Sequence, residues 1–230
     1  VARLPLVLVA SEFMKKTMRL NGVVEEKIRI LPYFCRWKTE SWQPPARQKG
    51  LLFAGRLVRA KGISALLDML LEMDPDVTLD IVGEGPERAH IDSRIKALSL
   101  QRRVTCYGWL DGEELKDRYR HNAVTAVPSL WPEPFGMVGL EAASLCRPVV
   151  AFDVGGISGW LRDGRTGCVV EAGQFGKLRT RIESLFDHPE LAKQMGLAGS
   201  QEVAHRFSAE AHARDLVSQL DRIRVEGSRS

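Results

Sequence analysis

The sequence predicts an α/β protein with a Rossmann-like, doubly wound parallel sheet of about six strands. Short apolar runs, most of about four to six residues, alternate with amphipathic stretches along the chain. Runs that are apolar on both faces are typical of parallel strands covered on both sides. Because strands and helices alternate, crossover connections and a doubly wound arrangement are expected.

The elements can be assigned in order along the chain. The apolar runs predicted to be strands cover residues 6–10, 27–31, 51–54, 77–82, 103–107, 123–127, 148–152 and 168–170. Apolar spacings of three, four, seven and eight residues predict a helix over 63–71. Four further helices are predicted between strands or after them, at 89–98, 112–120, 136–145 and 175–185.

One segment interrupts this pattern and divides the chain. Residues 36–50 lack periodicity and contain two adjacent prolines, so they read as an interdomain linker. We predict a main domain at 51–224 and a flexible tail at 225–230. Residues 1–35 form a strand–helix–strand piece that we expect to stand apart as a remnant of another domain and to offer a surface for self-association. Because the chain does not begin with methionine, we expect an upstream part to be missing.

Composition and charge narrow the function classes. The 230 residues are 44% hydrophobic and 27% charged, which excludes collagen, low-complexity chains and wholesale disorder. The net charge of +4 fits an anionic ligand or a membrane surface, whereas nucleic-acid binders are usually more basic and locally clustered. No apolar run approaches the roughly 20 residues that a membrane span needs.

The cysteine pattern indicates the compartment. The four cysteines form no Cys-x-x-Cys pair and have no histidine at metal-ligand spacing. We therefore predict reduced thiols, most of them buried, in a cytoplasmic protein without a metal site.

Three predicted strands end in loops that contain glycine and, in most cases, charge. After the strand at 51–54, Arg56 and Lys61 can converge on one anion, although the loop taken alone is more typical of a solvated basic turn. Gly83 and the glycine two residues later follow the strand at 77–82, a pattern that also suits a purely structural turn. The pair at 155–156 allows close approach of either a ligand or another backbone.

The most informative segment follows the strand at 123–127. Prolines at 132 and 134 keep the chain extended, so Glu133 is expected on a loop. Gly136 is expected to begin a helix, and the free amides of 136–138 would form an anion or hydroxyl site. Glu141 would lie about one and a half turns into that helix. Charge spacing alone would leave both carboxylates as surface groups, but the prolines and glycine favour a ligand site.

The segment from Glu133 to Ala142 resembles the E-x7-E signature of retaining glycosyltransferases of family four, the group 1 glycosyltransferases with the GT-B fold. Further segments match the order and spacing of that family: Gly55-Arg56-Leu57, Lys61-Gly62, Val82 to Pro86, Tyr107-Gly108, Pro128-Ser129, Arg147 to Ala151 and Gly155-Gly156. The resemblance covers about 50–224, the half of the fold that binds the sugar donor. Residues 1–35 resemble the end of the acceptor-binding half.

The resemblance implies a role for each matching residue. Arg56 and Lys61 would neutralise the donor diphosphate, Glu133 would hold the transferred sugar as the catalytic carboxylate, and Glu141 would bind the ribose hydroxyls. Four consecutive residues would contact sugar and phosphate through their amides: Phe135, Gly136, Met137 and Val138. The base would lie in a cleft lined by Gly83, Glu84, Trp109 and Leu110.

The resemblance also implies a reaction. The family transfers sugar from a nucleoside-diphosphate sugar to an acceptor, here unknown, with retention of configuration and without a metal cofactor. The isolated chain would be inactive because the acceptor half is missing. The full-length enzyme would be cytoplasmic, with possible peripheral association at the inner face of the membrane. Many relatives have Pro-Glu where this sequence has Ser158-Gly159, which weakens the assignment of that loop.

Two other functions are alternatives to this one. A non-catalytic module could keep the fold and bind a sugar nucleotide without transferring sugar. A nicotinamide-dependent oxidoreductase would require Gly-x-Gly-x-x-Gly after the first strand of the main sheet, where this sequence has Gly-Arg-Leu.

Overall fold

The computed structural model describes residues 6–227, with side chains to residue 222. Its strands are β1 (Val7–Val9), β2 (Ile28–Ile30), β3 (Arg47–Ala54), β4 (Thr78–Val82), β5 (Val104–Gly108), β6 (Asn122–Val127), β7 (Val149–Phe152) and β8 (Gly167–Val170). Its α-helices are α1 (Glu12–Leu20), α2 (Ile63–Leu71), α3 (Arg88–Ala97), α4 (Gly112–His121), α5 (Met137–Ser144), α6 (Phe175–Asp187), α7 (Pro189–Arg206) and α8 (Ala209–Gly227).

Strands β3 to β8 form one parallel sheet in the order β5-β4-β3-β6-β7-β8. The order reverses between β3 and β6, which start the two halves of the sheet. In doubly wound sheets, ligands bind beyond the carboxyl ends of the strands at such a point. The predicted fold class and the six strands of the main sheet are confirmed.

Two predicted boundaries differ from the structure. Strand β3 begins at Arg47, inside the predicted linker, because its first residues pair with the start of β6 although they are polar. Helix α8 continues to Gly227, so the first three residues of the predicted tail are helical. Residues 228–230 lie outside the described residues. The division into a remnant, a linker and a main domain stays a prediction.

Asp80 in β4 is a charged residue at the centre of the sheet. Its side chain is fully buried and accepts hydrogen bonds from Arg47 Nη1 at 2.8 Å and Asn122 Nδ2 at 3.0 Å. These two donors are the first residues of β3 and β6. One carboxylate therefore joins three adjacent strands near their amino ends.

The N-terminal piece has a small sheet of its own. Strands β1 and β2 pair in parallel, and Val9, Val23 and Ile28 form a core separate from the main one. None of the described residues of this piece enters the main sheet, as expected. The piece does touch the main domain, since the Ser11 hydroxyl donates to the carbonyl of Pro134 at 2.7 Å. Residues 1–5 lie outside the described residues, and self-association stays a prediction.

All four cysteines are free thiols. Cys35, Cys146 and Cys168 are buried, and Cys106 is half-buried. Burial raises the pKa of each thiol, which makes thiolate formation unfavourable. Most of the cysteines are therefore buried, as predicted.

Candidate functional site

A cavity of about 460 Å³ opens beyond the carboxyl ends of β3, β4 and β6. It lies where the strand order reverses, which is the position expected for a ligand. The sequence-predicted residues that line it are Arg56, Lys61, Gly83, Trp109, Leu110, Glu133, Phe135, Gly136, Met137, Val138 and Glu141. The structure therefore brings all but one of the predicted site residues to a single cavity.

Glu84 is the exception. Its carboxylate accepts a hydrogen bond from Arg88 Nη1 at 2.9 Å, and its carbonyl accepts one from the amide of Leu57 at 2.9 Å. The neighbouring Gly83 packs against the loop after β3, and a Cβ atom there would overlap the carbonyl oxygen of Gly55. These contacts join the loop after β4 to the loop after β3. The glycine turn therefore has a structural role, which was one of the two interpretations of the sequence.

The two cations of the loop after β3 differ in their surroundings. Arg56 is exposed, and its side chain makes no ion pair or hydrogen bond with another described residue. Lys61 ends a short 3₁₀ turn, and its Nζ contacts Glu133 Oε1. The expected phosphate-binding lysine and the expected sugar-binding carboxylate therefore neutralise each other.

Backbone packing positions Glu133. Its carbonyl accepts a hydrogen bond from the amide of Gly156 at 2.7 Å. Gly155 has a φ of +61°, and a Cβ atom at that position would overlap the Glu133 carbonyl oxygen. A Cβ atom at Gly156 would likewise overlap the carbonyl of Pro134. The sequence left open whether these glycines approach a ligand or a backbone, and the structure shows a backbone contact.

Trp160 supports the other end of the same loop. The indole is buried, and its Nε1 donates to the carbonyl of Phe135 at 2.6 Å. Gly136 follows with a φ of +87°, so α5 begins one residue later than predicted, at Met137. A Cβ atom at Gly139 would overlap the Trp160 ring. The loop and the first turn of α5 therefore rest on one indole, which the sequence analysis did not identify.

Glu141 lies on α5, with its carboxylate mostly buried. The hydroxyl of Tyr119, itself fully buried, donates to Glu141 Oε2 at 3.1 Å. Arg36 Nε lies 3.7 Å from Glu141 Oε1, and Arg36 Nη2 lies 2.8 Å from Asp111 Oδ1. Burial raises the pKa of Glu141, while the Tyr119 hydrogen bond and the charge of Arg36 oppose that rise.

Two lining residues come from parts of the chain that the sequence analysis did not assign to the site. Tyr33 belongs to the predicted remnant and packs edge-on against Phe135, with ring centroids 5.6 Å apart. Arg36 belongs to the predicted linker. Neither residue lies in a periodic or glycine-rich pattern, so no local signal identified them.

Comparison with known proteins identifies the family. A sequence model described as "Glycosyl transferases group 1" matches residues 38–202, well over half of the chain. The chain belongs to the group 1 glycosyltransferases. The family named from the E-x7-E resemblance is therefore confirmed.

Individual relatives of this glycosyltransferase agree with the family match. It is 30% identical over 164 residues to alpha-D-kanosaminyltransferase of Streptomyces kanamyceticus, covering 70% of this chain and 42% of that protein. It is 36% identical over 163 residues to D-inositol 3-phosphate glycosyltransferase of Arthrobacter sp., covering 68% and 38%. The chain thus spans about two fifths of the length of these curated relatives.

A solved structure shows the same fold. The protein Alr3699/HepE of Anabaena, in complex with UDP, superposes with a TM-score of 0.85 at 22% sequence identity. The superposition covers 94% of this glycosyltransferase and 64% of that chain. It supports assignment of the GT-B architecture.

Two features are absent from the described residues. Within residues 6–227, none of the helices of this glycosyltransferase has the length and apolar character to cross a membrane. In the same part of the chain, no three His, Cys, Asp or Glu side chains group so that they could hold a metal ion.

Proposed function

We propose that this chain binds the nucleoside-diphosphate sugar of a retaining glycosyltransferase reaction. The observation that carries the proposal is the composition of the cavity at the carboxyl edge of the sheet. Three cations, two carboxylates and the N-terminus of α5 line one space at the point where the strand order reverses. That combination suits a ligand with hydroxyls at both ends and phosphates between them.

The positions of these groups support a division of the donor among them. Arg56, Lys61 and the first amides of α5 would hold the diphosphate, since cations and a helix N-terminus stabilise anionic oxygens. Glu133 would accept hydrogen bonds from the transferred sugar, and Glu141 from the ribose. The remaining base would lie against Trp109 and Leu110. The UDP named in the Anabaena complex supports a nucleoside diphosphate as the ligand class.

The same groups would act in the reaction. Transfer breaks the bond between the anomeric carbon of the sugar and a phosphate oxygen, so negative charge develops on the departing diphosphate. Fixed cations and helix amides stabilise such charge without reorganisation. Because Lys61 contacts Glu133 in the structure, we propose that donor binding draws the lysine toward phosphate and frees the carboxylate for the sugar.

Several properties belong to the whole enzyme. The chain spans about two fifths of its curated relatives, so we propose transfer only for an assembly that includes an acceptor-binding part, and an inactive isolated chain. We propose that the enzyme is cytoplasmic, with peripheral membrane association, and that it needs no metal. Retained activity of the assembly after EDTA treatment would support the last point, and rescue of an EDTA-inactivated enzyme by a divalent cation would contradict it.

Titration of two glutamate variants tests the division of the donor. The ligands are uridine, guanosine and adenosine diphosphates and their sugars, measured by calorimetry. Glu141→Gln should weaken nucleoside diphosphate and sugar nucleotide alike, by roughly 1–3 kcal/mol for a lost charged hydrogen bond. Glu133→Gln should spare the diphosphate and weaken only the intact donor. Glu114→Gln, an exposed change on α4 outside the cavity, is the matched control.

The outcome is decided by the contrast between ligands. If Glu133→Gln weakens both ligands equally, or neither, the proposed roles of the two carboxylates are wrong. In the complete enzyme, turnover should fall further for Glu133→Gln, because the reacting sugar would be misplaced.

Variants of the loop after β3 test the phosphate contacts separately. Arg56→Ala and Lys61→Ala should each weaken nucleoside diphosphate binding by about 1.5–3 kcal/mol and leave nucleoside binding nearly unchanged. Arg59→Ala removes an exposed cation from the same loop that does not line the cavity, and should change neither. Equal losses for nucleoside and nucleotide would show that the cations do not act on phosphate.

A further inference from the structure

A second cavity, of about 270 Å³, lies at the amino ends of the strands of the main sheet. It is bounded by the start of β3 at Gln48, the start of β6 and the turn at Arg147 that leads into β7. Trp42, Pro44 and the first turn of α7 close its other sides. The cavity is therefore remote from the proposed donor site, which lies at the carboxyl ends of the same strands.

Arg147 is a buried cation without a counterion in this cavity wall. The residue is 2% exposed, its Nη2 donates to the carbonyl of Gln43 at 2.8 Å, and its Nε has no hydrogen-bond partner. No carboxylate among the described residues forms an ion pair with it. Glu40, whose charge acts on Arg147, is itself held by Arg120 Nη2 at 2.7 Å and Nε at 3.0 Å.

Without a bound anion, the buried positive charge of Arg147 is unfavourable for the folded protein. Burial lowers the pKa of Arg147 to about 10, and the positive charge of Arg120 acts in the same direction. Buried charges in proteins are normally paired, because removal from water costs several kcal/mol per ion. An anion placed beside the guanidinium would remove that cost.

The N-terminus of α7 lines the same cavity. Helix α7 has 18 residues, and the side chain of His188 at its N-cap makes no hydrogen bond to the amides of the helix. Pro189 has no amide hydrogen, and the amides of the next two residues have no partner among the described residues. Such unpaired amides attract anions. The buried arginine and the uncapped helix end are independent features of one cavity wall.

Lys193, one turn further along α7, adds a second cation. Its Nζ lies 4.8 Å from the centre of the Trp42 ring and 3.7 Å from Glu190 Oε2. Glu190 also lines the cavity, and its largely exposed carboxylate offsets one of the two cations. The charge balance of the cavity is therefore positive.

We propose that this cavity binds the phosphate or carboxylate group of a small metabolite, held by Arg147, Lys193 and the first free amides of α7. The cavity is smaller than the proposed donor site, about 270 Å³ against 460 Å³, which suits an anion with a short carbon body. Trp42 and the prolines around it suit a compact apolar or sugar-like body. The inference does not depend on the proposed donor site, because the two cavities share no lining residue.

Thermal unfolding with simple anions tests the proposal. To remove phosphate binding at the donor site, the background is the Arg56→Ala/Lys61→Ala double variant. Sodium phosphate or sodium acetate is compared with sodium chloride at equal ionic strength. At about ten times Kd, a bound anion should raise Tm by about 3–6 °C. A response to phosphate alone, to acetate alone or to both supports the site and identifies the group that it prefers.

Three further substitutions in this background locate the effect. Arg147→Met should abolish the rise in Tm, and Lys193→Met should weaken the apparent anion affinity at least threefold. Arg181→Met, which removes a half-exposed cation of α6 outside the cavity, should leave both unchanged. An equal Tm rise in Arg147→Met would overturn the proposal, since it would show only the general stabilising effect of these salts.

Two other results would also overturn the proposal. One is the absence of a rise above chloride in the double-variant background. The other is an unchanged anion affinity in Lys193→Met. This variant decides the test if Arg147→Met does not fold.

Discussion

The two carboxylates of the proposed donor site are held in place by different means. Glu133 lies on an extended loop whose backbone packs against Gly155 and Gly156 and whose end rests on Trp160. Glu141 lies on a helix, and its side chain is held by Tyr119 and Arg36. Apart from the ion pair of Glu133 with Lys61, one carboxylate is therefore positioned through its main chain and the other through side-chain contacts.

This difference shows which changes each carboxylate should tolerate. A main-chain contact without room for a Cβ atom fails as soon as a methyl group is added. A side-chain hydrogen bond can be removed with little change in shape, and the loss is then limited to that bond. We therefore expect large effects from small changes around Glu133 and smaller, charge-dependent effects around Glu141.

The largest effect is expected from Gly155→Ala. The added methyl group would overlap the Glu133 carbonyl, so the loop must move or the substitution destabilises the fold. We expect the free energy of unfolding to fall by about 3–4 kcal/mol and binding of the intact donor to be lost. Urea unfolding and calorimetry measure the two effects.

Gly164→Ala is the matched control for backbone strain. Gly164 has a φ of +72°, and a Cβ atom there would meet nothing within 4 Å. The free energy of unfolding should therefore fall only by the cost of a left-handed backbone conformation for alanine, about 1–2 kcal/mol. Equal losses in both variants would show that the contact with Glu133 does not position the loop.

The second largest effect on the free energy of unfolding is expected at Trp160, whose indole supports the loop. Trp160→Phe keeps an aromatic ring but leaves the buried carbonyl of Phe135 without its donor. We expect a loss of about 2–4 kcal/mol in unfolding free energy, together with weaker binding of the intact donor. Trp131→Phe, at an exposed position, should be close to neutral in the same urea titration. A neutral Trp160→Phe would contradict the role of this indole.

A smaller effect, dependent on pH, is expected from Tyr119→Phe. Loss of the hydroxyl should raise the pKa of Glu141 further above its usual range. Since the ionised carboxylate would accept the ribose hydroxyls, nucleoside diphosphate affinity should begin to fall at a higher pH in the variant as the solution is acidified. Calorimetric titrations between pH 4.5 and 8 measure this shift. Tyr107→Phe, whose hydroxyl bonds Arg118, should show the wild-type profile.

The same pKa direction predicts a pH dependence of stability. Because the folded protein raises the pKa of Glu141, protonation is easier in the folded than in the unfolded state. The resulting stabilisation is complete below the unfolded carboxyl pKa and is lost as pH rises through the higher folded value. Glu141→Gln should remove this component from the pH dependence of urea unfolding. An unchanged profile would place the pKa of Glu141 near its usual value.

The smallest effect is expected from Arg36→Met. The guanidinium is half exposed and pairs with Asp111, and exposed ion pairs contribute about 0–1 kcal/mol. Unfolding free energy should therefore change by less than about 1 kcal/mol, and high salt should reduce even that difference. A loss above 2 kcal/mol would show that Arg36 is needed for the fold and not only near Glu141.

The local sequence was sufficient for the elements of the main sheet and for most of the cavity. Apolar runs identify strands because both faces of a parallel sheet are covered. Glycines, prolines and carboxylates just after those runs identify the site, since the carboxyl ends of parallel strands meet at one edge. The polar start of β3 at Arg47 was missed because pairing with β6, and not apolar character, makes it a strand.

The supporting residues could not be predicted in the same way. Tyr119 and Trp160 lie 22 and 25 residues from the groups that they contact, and nothing in the sequence near them indicates a partner. Arg36 reaches the cavity from a segment without periodicity. Glu84 was assigned to the cleft from the family resemblance, but its side chain pairs with Arg88 on α3. Such contacts depend on the tertiary path of the chain.

The hydrogen bond from Ser11 to the carbonyl of Pro134 has a consequence for protein engineering. A Cβ atom at Gly156 would also lie 2.9 Å from the Ser11 side chain, so three segments meet at one point beside Glu133. A chimaera that grafts residues 36–227 onto a different acceptor-binding half would replace Ser11 and alter the support of this loop. In the proposed two-part enzyme, a junction that keeps Ser11 together with residues 36–227 would preserve this support when the acceptor-binding part is exchanged.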